Sequence, residues 1–368
     1  MVKPTDITKH VEPVAFIRAA AGAMTRKAVD ALLSRLPVVG ENDYVFNPKD
    51  PFQGWVEGSF HWYPVGGERG NAGRIKLAGS PVNPIGERTI NCVEAVVELM
   101  RQLELERGPS DQPKNPREAV RRYFGLPPLE EIPGWRGAIH NQKAADYART
   151  LANKIRVKLI HEGRPAEYTV VIEDEGIGQS PAKLHATLLS LGTSDKADKP
   201  YLIGVFGQGG SSTYAACTYS WTMSRRHRQL LETDSDGLGW TVIKHIFPKG
   251  RRDTYFAYLA AHPDGRVPAL PVAAAEAIGL VNGTRFAHVN YDFGKTEPAR
   301  RLYQSLNHLL FNPVLPYELY TRPDRDRGPD VMWGNGYRLS RKTAQDPANQ
   351  RLLDKTFGPQ LIAKGRDK

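Results

Sequence analysis

Apolar positions recur at near-helical spacing across residues 15–36, through Phe16, Ile17, Ala20, Ala23, Met24, Val29, Leu32 and Leu33. The pattern predicts one helix, ended by Pro37. A second helix is expected over 87–106, with Ile90, Val93, Val97, Leu99, Met100 and Leu103 on its apolar face. Shorter helices are expected at 116–123, 142–153, 182–191, 211–217 and 299–310. Apolar runs bounded by turn residues predict strands at 155–160, 168–173, 219–225, 240–247, 254–259 and 283–289. Residues 40–73 are rich in Gly, Pro and aromatics and read as short strands and loops. Trp55, Phe60, Trp62 and Tyr63 there are read as core, with a base-stacking platform as the alternative, because no clear RNA-binding signature accompanies them. Helices come first, then a strand pair, a glycine-rich stretch and further strands. There is no regular β-α alternation, so a doubly wound fold is not expected. The expected class is α+β: a two-layer sandwich with a mixed, mostly antiparallel sheet and helices on one face.

Composition narrows the picture only a little. The chain has 368 residues, 40% hydrophobic and 24% charged, enough for one large domain or two ordinary ones. No run approaches the roughly 18–20 apolar residues that cross a bilayer. Residues 1–10 carry charges and a proline but no apolar stretch, so no secretory signal is expected. Cys92 and Cys217 form neither a metal pattern nor a disulfide framework, and the cytoplasm is the expected compartment. The net charge of +10 permits attraction to nucleic acid. A generally basic surface is the alternative.

Four segments carry candidate chemistry. Glu87 and Asn91 stand four residues apart, about 6 Å along a helix axis and on one face. A carboxylate there can orient and deprotonate a water, and an amide oxygen one turn on can ligate Mg²⁺. A solvated surface pair is the alternative. Asp174-Glu175-Gly176-Ile177-Gly178 follows an apolar strand directly. It places a carboxylate at the sheet's end, able to accept from an exocyclic amine, and its glycines let the backbone approach a ligand. An ordinary Asx turn competes with that reading. The third segment comprises Gly192-Thr193-Ser194-Asp195-Lys196 and Gly204-Val205-Phe206-Gly207-Gln208-Gly209-Gly210-Ser211. Glycines that open into a small-residue helix can present N–H groups to phosphate oxygens. Lys196 is either a phosphate cation or a surface lysine. The spacing is neither a Walker loop nor a dinucleotide fingerprint. In the fourth, Asn282-Gly283-Thr284-Arg285-Phe286, the Thr284 hydroxyl can meet a ligand lying on the sheet, or the residue serves β-propensity alone.

In this order, over about 85–289, the four segments resemble the GHKL-type ATPase superfamily of DNA gyrase, heat-shock chaperones, histidine kinases and MutL. The resemblance implies a Bergerat-type ATP-binding fold over 81–315 with an insertion near 101–141. It leaves 1–80 as an extension packing on that domain and 316–368 as a C-terminal segment, the possible start of a further domain. It implies ATP and Mg²⁺ as cofactors. Glu87 would be the general base, Asn91 the Mg²⁺ ligand, and Asp174 the partner of the adenine amine, helped through water by Thr284. Gly176 and Gly178 would shape the adenine pocket. Gly192, Thr193, Lys196 and the run from Gly204 through Val205, Phe206, Gly207, Gln208, Gly209 and Gly210 to Ser211 would form a lid over the phosphates. The resemblance further implies an ATP-dependent homodimer working as a conformational switch, with a DNA-associated, defence or chaperone-like output and DNA or a protein as partner. A non-hydrolysing nucleotide-binding module and a protein kinase are the other classes. Histidine kinases replace the hydrolytic Glu, so Glu87 points to hydrolysis. The chain departs from the family in four places. Glu94 stands where many relatives have Asp, and Ser211 where some have Lys. The stretch 101–153 is long, and the strands across 219–259 suggest an enlarged sheet. These mark a divergent bacterial branch. Relatives with a second domain send a Lys to the γ-phosphate; the stretch after Thr284 is short for that, and nothing selects Lys342 or Lys355.

Overall fold

The computed structural model describes residues 11–39, 55–76, 79–126, 142–162, 167–191, 198–203, 209–231, 237–248, 253–294, 297–321 and 328–336. At its centre β2 (Ile155–Glu162) and β3 (Glu167–Asp174) pair antiparallel along their whole length, from Ile155 opposite Asp174 to Glu162 opposite Glu167. They belong to a sheet of ten strands among the described residues. From one edge its order is β1 (His61–Pro64), β6 (Tyr255–Ala260), β5 (Leu238–Ile246), β4 (Tyr219–Arg225), β8 (Gly283–Val289), β3, β2, β9 (Tyr317–Tyr320) and β10 (Asp330–Met332). The short β7 (Ala269–Leu270) pairs with β5 beside this path. Among the described strand pairs only β2 and β9 run parallel. The chain is therefore α+β with a mixed, mostly antiparallel sheet, as expected. The sheet crosses both expected domain boundaries, because β1 precedes residue 81 and β9 and β10 follow residue 315. The short alternation that buries Tyr317 and Leu319 of β9 sits in an otherwise polar stretch, and the sequence reading passed over it.

Alternation along the strands splits the core in two. Val157 and Leu159 of β2 and Val170 and Ile172 of β3 face α3 (Asn83–Glu106), α4 (Pro116–Phe124), α5 (Gln142–Ala152) and α7 (Pro298–Leu309). Val171, Trp221, Met223, Trp240, Val242 and Ala287 face the other way, toward α1 (Pro13–Ala21), α2 (Arg26–Leu33) and α6 (Val272–Ala277). Phe16 of α1 lies 5.0 Å from the Trp240 ring and 6.3 Å from the Trp221 ring. Helices thus cover both faces of the sheet. The expectation of helices on one face fails because the apolar side of residues 13–36 needs a surface to cover, and the tryptophans of β4 and β5 supply it.

Local chemistry accounts for the other differences. The single helix expected over 15–36 is two. α1 ends at Gly22, and Thr25 restarts the chain as an N-cap, its hydroxyl accepting from Ala28 N–H at 3.3 Å. The expected helix at 182–191 is only a 3-10 turn, Leu184–Ala186. That at 211–217 is a 3-10 helix, Gly209–Ala216, whose run of Gly, Ser and Thr has weak α-propensity. α4 forms as expected inside the long insertion, capped by Asn115 and closed by Gly125 at φ 63°. It buries Ala119, Val120 and Phe124 in the core shared with α3. No helix among the described residues is long and apolar enough to cross a membrane.

Candidate nucleotide-binding site

The sheet topology brings three strand ends together. β3 and β4 both run antiparallel to β8, so the C-terminal ends of β3 and β4 flank the N-terminal end of β8. Asp174, Ser224 and Thr284 stand at those ends. Helix α3 passes over them. Its buried residues include Arg88, Glu94, Glu98 and Arg101 as well as Ile85, Cys92, Val93, Val96 and Val97. Charged side chains are seldom fully buried unless they serve a site or a partner. Between α3 and the strand ends lies a cavity of about 980 Å³, within the size range of small-molecule sites. Its wall includes Asn91, Asp174, Gly178, Gly210, Ser211 and Thr284, drawn from all four sequence segments. A separate hollow of about 720 Å³, bordered by Tyr168, Cys217 and Asn290, contains none of the predicted site residues.

Asp174 is 2% exposed. Its Oδ1 accepts from Gly176 N–H at 2.9 Å. Burial pushes its carboxyl up to about 7, against the pull of hydrogen bonds from the Gly176 amide, the Cys92 thiol and the Thr284 amide, and of the Arg156 charge. Burial and the neighbouring Asp174 raise the Cys92 thiol, which keeps it a protonated donor. The Thr284 hydroxyl lies 2.9 Å from Ser224 Oγ, which also donates to Gly283 O at 3.1 Å and accepts from Gln179 N–H at 2.9 Å. Asn282 Nδ2 donates to Gly176 O at 2.7 Å and Glu175 O at 3.1 Å, tying the turn after β3 to the start of β8. Ile177 and Leu230 give the wall an apolar part.

The glycines of the Asp174 turn have a structural reason. A Cβ on Gly176 would lie 2.5 Å from the Ala95 backbone carbon. Close approach lets Ile177 N–H reach Ala95 O at 2.9 Å and docks the turn on α3. Gly178 sits at φ 61°, and a Cβ there would fall 1.8 Å from Arg225 O. These two residues serve backbone packing first, and only Gly178 reaches the cavity wall.

No protein-family model matches the chain. No curated protein matches it either. The site is therefore read from its own groups. Asn91 is half-buried in the wall. Glu87, one turn earlier on α3, is exposed and outside it. Gly209 opens the 3-10 helix that contains Gly210 and Ser211. Gly192, Thr193, Lys196, Gly204, Val205, Phe206, Gly207 and Gln208 lie outside the described residues. Both flanks of 204–208 are tied to α3. Ile203 N–H donates to Glu94 Oε1 at 2.7 Å, and Gly210 O accepts from Arg88 Nη2 at 2.5 Å. Glu98 accepts from Tyr201 Oη at 2.8 Å and Lys199 Nζ at 3.1 Å. The sequence reading missed Arg88, Cys92, Glu98 and Ser224. Three of them do show a signal in hindsight, being polar residues at helix positions next to Glu87, Asn91 and Glu94.

The donor set suits an adenine nucleotide with Mg²⁺. A buried carboxylate, a fixed hydroxyl and apolar walls match a flat ring with an exocyclic amine. Among the described residues no group of three His, Cys, Asp or Glu side chains could hold a metal. Mg²⁺ needs no such cage, because it is commonly held by one or two side chains together with substrate phosphates. Asn91 is placed to be such a side chain.

Proposed function

We propose that the protein binds ATP with Mg²⁺ in the cavity beneath α3 and hydrolyses it, as a GHKL-type ATPase whose α3 face follows the Bergerat arrangement and whose other sheet face carries the added helices α1, α2 and α6. The observation that carries this reading is the convergence of Asp174, Thr284, Asn91 and Gly210–Ser211, from segments far apart in sequence, on one cavity wall. Asp174 accepts a hydrogen bond from the exocyclic amine of the base. Thr284, oriented by Ser224, supports the same edge. Asn91 would hold the Mg²⁺, which would neutralise phosphate charge. The Gly210–Ser211 backbone lines the phosphate end. Glu87 orients the attacking water and takes its proton. Binding and turnover work as a conformational switch, supported by the ties of Ile203 and Gly210 to the same helix. Association of two copies and a DNA or protein partner belong to this proposal, and the net charge of +10 favours a polyanion.

Glu87's exposed position favours a second reading, a nucleotide-binding module without turnover. One experiment separates the two: phosphate release from Mg·ATP, with a parallel binding titration, for wild type, Glu87→Ala and Asp174→Ala. Slow turnover lost in Glu87→Ala while binding persists is the expected result. Binding without turnover in wild type selects the module. Wild-type protein that binds no ATP overturns both.

A further inference from the structure

Arg88 follows Glu87 on α3 and is 4% exposed, yet it lines the cavity. Its Nη2 donates to Gly210 O at 2.5 Å and to Thr213 Oγ1 at 3.2 Å. The guanidinium lies 4.0 Å from the centroid of the Phe286 ring and 5.5 Å from that of Tyr214. Nε is buried without a hydrogen-bond partner. Among the described residues no carboxylate pairs with it. Nearby acids are engaged elsewhere: Glu94 by Ile203 N–H, Glu98 by Tyr201 and Lys199, Asp174 by the amide of Gly176.

This arrangement is costly without an anion. A buried charge is compensated by a counter-ion or by enough hydrogen bonds to use its donors. Aromatic faces return part of the cost and leave the net charge in place. An ordinary structural arginine would have a carboxylate here. Gly210 shows why the space matters: a Cβ on it would lie 3.1 Å from Arg88 Cζ and 3.1 Å from Asn91 Nδ2. The backbone at Gly210 therefore touches both the guanidinium and the amide placed for Mg²⁺. An anion lying along that backbone meets Arg88's free N–H groups, and a planar fork of donors fits phosphate oxygens.

We infer that Arg88 is the phosphate-binding cation of this cavity, and that it makes the site select nucleoside di- and triphosphates over the bare nucleoside. The inference rests on the nucleotide reading above. Arg88 supplies charge from the helix that covers the phosphate end, and its bond to Gly210 O holds the backbone there in register.

The test measures dissociation constants for ATP, ADP and adenosine, with Mg²⁺ at fixed ionic strength, in wild type, Arg88→Gln, Arg88→Lys and Thr213→Val. Loss of a charge-assisted hydrogen bond weakens Arg88→Gln for ATP and ADP by about tenfold or more, with adenosine changed by less than about twofold. Retained adenosine binding shows that the variant is folded. Thr213→Val removes an anchor and leaves the charge, so its preference for ATP over adenosine stays within about twofold of wild type. Equal losses for ATP and adenosine in Arg88→Gln overturn the inference, as does unchanged ATP affinity. So does a Thr213→Val variant that reproduces the Arg88→Gln loss, since the residue would then be only an anchor. Should Arg88→Gln fail to fold, Arg88→Lys decides. It keeps the charge and is expected to keep a preference for ATP over adenosine; a preference erased while adenosine still binds overturns the inference. Wild type that binds neither ligand refutes the nucleotide reading itself, whereas an ATP preference intact in Arg88→Gln refutes only the role of Arg88.

Discussion

Asp174 makes the stability of the protein fall as pH rises, and Asp174→Asn removes that dependence. The carboxyl is pushed from 3.8 to about 7 because burial penalises its charged form more than the surrounding hydrogen bonds favour it. The folded state therefore binds a proton more tightly than the unfolded one. Its contribution is fully present below about pH 4 and is lost as pH climbs through about 7. A shift of about 3 units at about 1.4 kcal/mol per unit gives about 4 kcal/mol across that window. Asparagine fits the same space and does not titrate. Its amide N–H₂ faces the donors that now serve Asp174, which costs a further 1–3 kcal/mol or so, but as an offset independent of pH. The assay is urea denaturation of both proteins from pH 5 to pH 8, with free energies extrapolated to water. All other titrating groups cancel in the difference between the two curves. The variant should gain on wild type by up to about 1.4 kcal/mol per pH unit, levelling off above pH 7. Curves that stay parallel from pH 5 to pH 8 would show that Asp174 is ionised throughout. The description of it as a carboxyl desolvated by burial would then be wrong.

Two further substitutions test the frame around the site. Gly178→Ala combines a left-handed backbone with a Cβ that would meet Arg225 O at 1.8 Å. It should cost about 3 kcal/mol or more, read as a lower urea midpoint, and a loss under about 1 kcal/mol would mean the turn rearranges freely. Phe16→Ala removes the ring that packs on Trp221 and Trp240. It should cost about 3–5 kcal/mol, and unchanged thermal stability would refute the view that α1 is part of the core.

The legible parts of the fold were those set by local pattern. The Val170-Val171-Ile172 run before Asp174 announced β3, because a strand buried on both faces is written as consecutive apolar residues, and the β-favouring residues after Gly283 announced β8. α3 was legible through the helical period of Ile90, Val93 and Val97. The second helical layer was not. An amphipathic face on residues 13–36 says that something is covered, and only the inward tryptophans of β4 and β5 say what. The break at Gly22–Thr25 was visible as a Gly and a capping Thr, but a period counted over 22 or so residues averages across it. Within the site, Asp174, Asn91 and Thr284 stood out by spacing. Ser224 did not, since its role exists only once β4 lies against β8, and Cys92 showed only as a neighbour of Asn91, its bond to Asp174 existing once α3 crosses the end of β3.

α3 gathers what the site needs. Its Ala95 carbonyl docks the Asp174 turn, its Cys92 donates to Asp174, its Asn91 lines the cavity, and its Glu94 and Arg88 hold Ile203 and Gly210. Under the proposed function, a nucleotide reaching from Asp174 to the Gly210 backbone would press on one helix at both ends. The same geometry explains why so many of its buried residues are charged. Arg88, Glu94 and Arg101 each hold a different segment of backbone and Glu98 holds the Lys199 and Tyr201 side chains, so replacing any one with an apolar residue would leave a polar partner unpaired rather than merely remove a charge.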